Sequence, residues 1–197
     1  MDTAQFSVSY GAAEKAAIAS YRIPKKGVGA FRGRLGSLQK GGLLGRAPGK
    51  GKALRYTPDL LHRMVCGLEL LEFGVAPSVV LSLVKTLWDR KLRKIFMEAE
   101  HAAVRDAGPG DICLFLAGPH LLGNALGLSG VPNINGCKLG ALPGNLSMVM
   151  AEPTNPQGLP PRVMAVNLSA RLRSFHSELA MTWLEFEDET LRKRGAP

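Results

Sequence analysis

Residues 24–42 read PKKGVGAFRGRLGSLQKGG, and this stretch decides how the first half of the chain folds. Its apolar residues recur at spacings of three, four and three positions: Val28, Phe31, Leu35 and Leu38. Such spacings place side chains on one face of a helix, and the other faces here carry lysine and arginine. Pro24 can begin a helix, and Gly41-Gly42 can end one. The pattern therefore predicts an amphipathic, basic helix over residues 25–40.

The segments on either side of this helix predict a helix-turn-helix followed by a wing. Residues 10–20 are rich in alanine and predict a short helix, which Pro24 separates from the basic one. Residues 43–56 combine glycines and a proline with four basic residues, the composition of a flexible basic loop. Thr57-Pro58-Asp59 then offers a capping side chain, a proline and an acid for the first turn of another helix. This order is typical of a winged helix-turn-helix domain.

The positive charge of the chain is confined to its first quarter. Residues 1–55 contain eleven basic and two acidic residues, whereas residues 56–197 contain equal numbers of each. The first segment therefore carries the whole net charge of +9. A charge block inside a segment with helical periodicity predicts a folded surface for a polyanion. The alternative is an ordinary solvated basic surface around a helical bundle.

Double-stranded DNA fits this basic segment, because a helix enters the major groove and a flexible basic loop follows the phosphates. The expected DNA-binding residues are Lys25, Lys26, Arg32, Arg34 and Lys40 in the helix and Arg46, Lys50, Lys52 and Arg55 in the wing. We expect Arg32 and Arg34 to contact bases, since arginine pairs with guanine edges, and the lysines to anchor phosphates. We expect Tyr56 to pack the wing onto the helices instead of contacting DNA.

Three short pieces between residues 38 and 84 carry a family resemblance: Gly42-Leu43, Arg55-Tyr56-Thr57-Pro58-Asp59 and Phe73-Gly74-Val75-Ala76-Pro77. They resemble the end of the recognition helix, the end of the wing and the turn between two helices in the MerR-type winged helix. The resemblance implies a transcription regulator that dimerises through a helix after the winged domain. Residues 78–106 and 169–193 are the candidates for that helix. The cysteine metal ligands common in that family have no counterpart here, so metal sensing is not implied.

The pattern changes after Ala107-Gly108-Pro109-Gly110, which predicts a domain boundary. Residues 112–117, 147–151 and 162–166 predict short buried strands. A final helix from about Ser169 carries an apolar stripe: Leu172, Phe175, Leu179, Trp183 and Phe186. This stripe is a packing face, either within the chain or across the two-fold axis of a dimer.

The second half of the chain leaves two interpretations open. It could hold a small-molecule or protein effector, in which case Phe115 and His120 would line a pocket. Alternatively, it is a dimerisation or scaffold domain whose core needs these residues. Both interpretations are compatible with its neutral, apolar and glycine-rich composition.

The chain contains no recognisable catalytic or metal-binding motif. His62 and Cys66 lie four positions apart on a predicted helix, but no further ligands accompany them, which favours a surface histidine beside a buried cysteine. Glu98-x-x-His101 is half of a di-iron pattern without its partner. Neither a serine nucleophile elbow nor an HExxH motif is present. We therefore expect no enzyme, no cofactor and no metal.

The chain also lacks the sequence features of a secreted or membrane protein. Its first residues do not show the basic and then apolar order of a signal peptide. The most apolar stretch, residues 112–128, is interrupted by glycine, proline, histidine and asparagine. We therefore expect a cytoplasmic protein without a membrane partner.

Taken together, these patterns predict an α+β fold in two domains. Residues 1–106 would form a mainly helical winged helix-turn-helix domain, and residues 107–197 a small α+β domain for dimerisation or effector response. The predicted function is that of a sequence-specific, double-stranded DNA-binding transcriptional regulator acting as a homodimer. Two alternatives are an adaptor whose basic face binds an acidic protein or RNA, and a small-molecule enzyme in the second half.

Overall fold

The computed structural model describes residues 7–45, 54–117, 133–151 and 163–195, and there the chain has the predicted α+β class. The helices are α1 (Tyr10–Ser20), α2 (Val28–Lys40, after a 3₁₀ turn at Lys25–Gly27), α3 (Pro58–Glu72), α4 (Pro77–Leu87), α5 (Arg93–Ala103), α6 (Leu142–Ala151) and α7 (Leu168–Gly195). The strands are β1 (Val8–Ser9), β2 (Arg55–Tyr56), β3 (Ile112–Ala117), β4 (Asn133–Lys138) and β5 (Val163–Asn167). None of the described helices has both the length and the apolarity to cross a membrane.

A two-stranded antiparallel sheet joins the residues just before α1 to the residues just before α3. In this sheet β1 pairs with β2, and Val8 lies opposite Tyr56. Each strand leads directly into a helix whose first turn is capped. The Ser9 hydroxyl accepts a hydrogen bond from an amide of α1, and the Thr57 hydroxyl accepts one from an amide of α3. The predicted start at Thr57-Pro58 is therefore confirmed.

The amphipathic helix predicted over residues 25–40 is confirmed. Phe31, Leu35 and Leu38 of its apolar stripe are buried, and α2 packs against α3 and α4. The contact with α3 is close because Gly67 lies against the side chains of Leu38 and Leu43. The polar faces of α2 are consequently left outside the core.

We expect Gly67→Ala to lower the free energy of unfolding by roughly 1–3 kcal/mol. Its new Cβ would lie 2.9 Å from Leu38 Cδ1 and 3.1 Å from Leu43 Cδ2, and both leucines are fully buried. Gly33→Ala is the matched control, because Gly33 lies within α2 and nothing is within 4 Å of its Cβ position. The Gly33→Ala substitution should raise the free energy of unfolding by roughly 0.5–1 kcal/mol. Urea unfolding followed by circular dichroism distinguishes the two, and a change of the same sign in both would contradict the close contact.

A π-helical turn at Trp88–Leu92 connects α4 and α5. The Trp88 ring is buried, and its indole N–H donates a hydrogen bond to Asp59 Oδ1 over 2.9 Å. The Arg63 guanidinium lies over the same ring, 5.1 Å from its centroid. These contacts fix the first turns of α3 against the connection between α4 and α5.

The second sheet is antiparallel in the order β4-β3-β5. The predictions of strands at residues 112–117 and 162–166 are confirmed by β3 and β5. The strand β4 was not predicted, because asparagine and glycine dominate its sequence and its pairing with β3 is not visible locally.

The prediction of a strand over residues 147–151 is wrong, because these residues end α6. A short apolar run does not by itself distinguish a strand from a helix. Here Pro143 stands in the first helical turn, where its missing N–H does no harm. The Asn145 amide and the Ser147 hydroxyl donate to carbonyl oxygens four residues earlier, which fits helical geometry.

The stripe on α7 packs inside the chain, since α7 lies against α1 and α5. Leu172, Phe175 and Leu179 are buried in one continuous core, so for these three residues packing within the chain, and not the possible dimer face, describes the stripe. Trp183 and Phe186 lie further along α7, outside the side chains that the structure describes. Residues from both predicted domains contribute to this core, and the boundary after residue 106 stays a prediction.

Candidate nucleic-acid interface

The predicted DNA-binding residues of the helix lie on the protein surface. Because the apolar stripe of α2 faces α3 and α4, its remaining positions are open to solvent. The structure brings together five exposed cations on α2 and its leading turn: Lys25, Lys26, Arg32, Arg34 and Lys40. Their immediate surroundings differ, and these differences decide what each could do.

Lys25 and Lys26 occupy the first turn of the continuous helical segment. Its N-cap is Pro24, which provides no side-chain cap. Among the described residues, neither lysine forms an ion pair with an acidic side chain. The N-terminal end of a helix carries partial positive charge, so positive side chains are unfavourable there and a bound anion is stabilised. The turn therefore has the electrostatic character of a phosphate contact.

Arg32 is held by a buried carboxylate. Its Nε donates a hydrogen bond of 2.7 Å to Oε1 of Glu14 on α1. Glu14 is nine-tenths buried, while 61% of the Arg32 side chain is exposed. Because Nε is bonded to Glu14, the two terminal nitrogens of the guanidinium remain as donors for another acceptor. Glu14 thus restricts the orientation of the exposed Arg32 side chain.

Arg34 has no comparable buried support. Its Nη1 donates to Glu72 Oε1 on α3 over 2.5 Å, but about half of each side chain is exposed. Water competes with exposed ion pairs, which therefore stabilise proteins by at most about 1 kcal/mol. Arg34 can consequently exchange this partner for a phosphate or a base more easily than Arg32 can leave Glu14.

The wing is only partly described. Arg55 is exposed at its end, where Nε donates to Ser7 Oγ and Nη2 to the Ser7 carbonyl, each over 2.9 Å. The predicted contacts Arg46, Lys50 and Lys52 lie outside the described residues, and their roles stay predictions.

Tyr56 is fully buried, with its ring 6.0 Å from that of Tyr10. Tyr56 therefore packs against the helices, as expected, whereas its contact with the predicted wing involves residues outside the described part of the chain and stays a prediction. Burial, followed by the neighbouring Tyr10 and Glu14, raises the pKa of the Tyr56 hydroxyl to about 12. The hydroxyl therefore stays neutral at physiological pH.

The two residues predicted to line an effector pocket are not brought together by the described structure. Phe115 is buried in β3, as expected for a core residue. His120 lies outside the described residues. The effector pocket stays a prediction.

A separate cluster consists of residues that could hold a metal ion: His62, Glu100 and His176. His62, expected at the surface, is buried on α3 with its ring 5.6 Å from that of Phe96. Cys66 is buried as expected, and burial raises the pKa of its thiol. The sequence prediction missed this cluster because its members come from three helices distant along the chain.

The acidic partners of the two arginines were also missed in the sequence. For Glu14 a signal exists, because it is one of only two acidic residues in the basic segment 1–55. For Glu72 no comparable signal exists, since the contact depends on the packing of α2 against α3.

Comparison with known proteins does not assign this chain to a family. No protein-family model matches the chain, and no curated protein matches it. The resemblance of residues 38–84 to the MerR-type winged helix therefore stays a prediction from the sequence.

Proposed function

We propose that the protein is a transcriptional regulator that binds double-stranded DNA, with α2 in the major groove and the basic loop over residues 46–53 on the phosphates. The observation that carries this proposal is the arrangement of Arg32. Its Nε is held by the buried Glu14, and its terminal nitrogens are left to an outside acceptor on an exposed, basic helix. Preorganised arginines of this kind suit bidentate recognition of a base edge.

The structure around α2 supports this mode of binding. A single α-helix fits the width of the major groove, which is about 12 Å. The β1–β2 sheet fixes where the basic loop ends, beside the start of α1 and α3. A helix and a neighbouring basic loop can then contact a groove and its flanking phosphates together.

The proposal includes a homodimer, because two copies reading symmetric half-sites add specificity. The buried stripe on α7 is not the interface. Both segments proposed to dimerise instead expose large apolar side chains: Met97 and Val104 in residues 78–106, and Met181 in residues 169–193. These residues are the proposed starting points for locating the dimer contact. The proposed site of action is the cytoplasm.

Selection from a random duplex pool tests the proposed function directly. The full chain would be used at roughly 0.15 M salt, where phosphate contacts alone do not give tight binding. We expect an enriched motif, and a palindromic motif would support the homodimer. Binding without enrichment, which fades uniformly as salt rises, would contradict sequence-specific recognition. Capture of RNA or acidic protein in place of duplex DNA would favour the adaptor alternative.

We expect Arg32→Ala to weaken binding to the selected sequence by about 1–3 kcal/mol and to relax the preference at one base pair. Fluorescence anisotropy with the selected duplex and its single-base variants measures both effects. Glu14→Gln should give a smaller loss of the same kind, because it leaves the Arg32 charge and removes only its ionic support. An equal loss on every sequence after Arg32→Ala would exclude Arg32 as a base contact.

A further inference from the structure

Three side chains that could bind a metal converge from three helices. His62 lies on α3, Glu100 on α5 and His176 on α7. His62 Nε2 is 3.4 Å from Glu100 Oε2, and His176 Nε2 is 3.9 Å from Glu100 Oε1. The three ligand atoms all lie within 4.8 Å of one another. Two imidazoles and one carboxylate thus surround a common point.

The His62 imidazole is buried and directed into this cluster. Only 6% of its side chain is exposed, and its Nε2 meets no hydrogen-bond partner with acceptable geometry among the described residues. Its nearest charged neighbour is the Glu100 carboxylate. A buried polar atom without a hydrogen bond is unfavourable, and a ligand that it could bind would remove that penalty.

Three arginines near the cluster members in sequence are paired with other acids and not with Glu100: Arg63 with Asp59, Arg171 with Glu69 and Arg173 with Asp111. Within the described part of the chain, the ion-pair partners of Glu100 are His62 and His176 alone.

A carboxylate and two imidazoles are ligand types that Zn²⁺ takes in proteins. The imidazole nitrogens must be unprotonated to coordinate a metal, so binding at this cluster would compete with protons and weaken as the pH falls.

We infer that His62, Glu100 and His176 form a binding site for a divalent transition-metal ion, with Zn²⁺ the best match to two nitrogen ligands and one oxygen ligand. Ligand atoms about 2.1 Å from a tetrahedral zinc lie about 3.4 Å from one another. The separations of 3.4 and 3.9 Å involve different oxygens of Glu100, and one ligand atom from each residue lies within 4.8 Å of the others, so small side-chain adjustments would bring the three atoms to the zinc distance. About a third of the Glu100 and His176 side chains is exposed, so the ion can enter and water can supply the fourth ligand.

Metal binding at this point would connect α3, α5 and α7. Because the three ligands come together only in the folded chain, the ion would bind the native state and stabilise it. With free metal about 100-fold above Kd, we expect the melting temperature to rise by roughly 5–10 °C. This inference does not depend on DNA binding.

Titration of the metal-stripped full chain with Co²⁺, followed by competition with Zn²⁺, tests the site. We expect one ion per chain, a Kd of about 1 µM or tighter for Zn²⁺, and Co²⁺ absorption bands of low coordination number without thiolate charge transfer. No saturable binding at submillimolar Co²⁺, or bands that show thiolate ligation, would overturn the inference.

Glu100→Gln and His176→Gln should each weaken binding at least tenfold and, at the same metal concentration, reduce the rise in melting temperature by half or more. Both side chains are partly exposed, so these variants test the ligands with little disturbance of the core. His101→Gln is the matched control, because His101 is exposed beside Glu100 on α5 and outside the cluster. Binding that persists unchanged in both ligand variants, or that is lost equally in the control, would overturn the site.

Discussion

Replacing Arg171 with alanine should lower the free energy of unfolding by about 3–5 kcal/mol. Urea unfolding of the full chain, followed by circular dichroism, gives this value. The reason is the Glu69 carboxylate, which is only 3% exposed and which Arg171 neutralises. Without Arg171, a buried charge would remain without its cation.

The geometry explains why this pair contributes more than a surface ion pair. Arg171 Nε donates to Glu69 Oε1 over 2.6 Å, and Arg171 Nη1 donates to the Ser20 carbonyl over 3.0 Å. The Tyr21 hydroxyl donates to the same carboxylate oxygen over 2.7 Å, and the Arg171 guanidinium lies 4.2 Å from the Tyr21 ring centroid. One arginine thus ties the end of α1 and the buried face of α3 to α7.

Two comparisons separate the buried charge from a general loss of contacts. Arg34→Ala breaks an ion pair whose side chains are both about half exposed, and it should lower the free energy of unfolding by less than about 1 kcal/mol. A triple variant, Tyr21→Phe, Glu69→Leu and Arg171→Leu, removes the three polar side chains together and should recover part of the loss. If Arg171→Ala destabilised the protein no more than Arg34→Ala, the buried pair would not have the role described.

The double substitution Lys25→Ala and Lys26→Ala should weaken DNA binding about 30-fold per protomer at roughly 0.15 M salt, while leaving the fold as stable as before or slightly more so. It should also reduce the slope of log affinity against log salt by about 1.8 per protomer, or about 3.6 for the homodimer, since each phosphate contact contributes about 0.9. Fluorescence anisotropy over a range of salt concentrations gives both values.

This combination of effects follows from where the two lysines lie. They stand in the first turn of the helical segment that continues as α2, where they oppose the helix dipole and, among the described residues, pair with no acid. They therefore add little to stability, although a phosphate would find two ammonium groups beside the uncapped helix end. Weaker DNA binding without a lower free energy of unfolding would distinguish a DNA-contacting role of the two lysines from a structural role.

A matched control is available outside the basic segment. Arg90 and Arg105 are exposed, and the double substitution to alanine removes the same formal charge. It should leave the salt slope unchanged, because only contacts with phosphates contribute to the slope. Equal losses in both double variants would show that overall charge, not contact by α2, controls binding.

Short-range sequence signals predicted the helices of the N-terminal half. The spacing of Phe31, Leu35 and Leu38 predicted both the helix and its buried face, and Thr57-Pro58 predicted where α3 begins. These signals act over one or two helical turns, so they do not depend on distant parts of the chain. The error over residues 147–151 arose where such signals are weak, in a short apolar run.

The sequence by itself determined the α+β class, most of the helices and the confinement of positive charge to residues 1–55. Only the tertiary structure decided which faces are free and which charges meet. It buried Leu172 and Phe175 inside the chain, set Glu14 beneath Arg32, and brought His62 to Glu100 and His176. The periodicity of apolar residues shows which face of a helix or strand is apolar, but it does not show which element packs against that face. Ion pairs and ligand clusters between helices depend on distances across the fold, and these arise only when the helices pack.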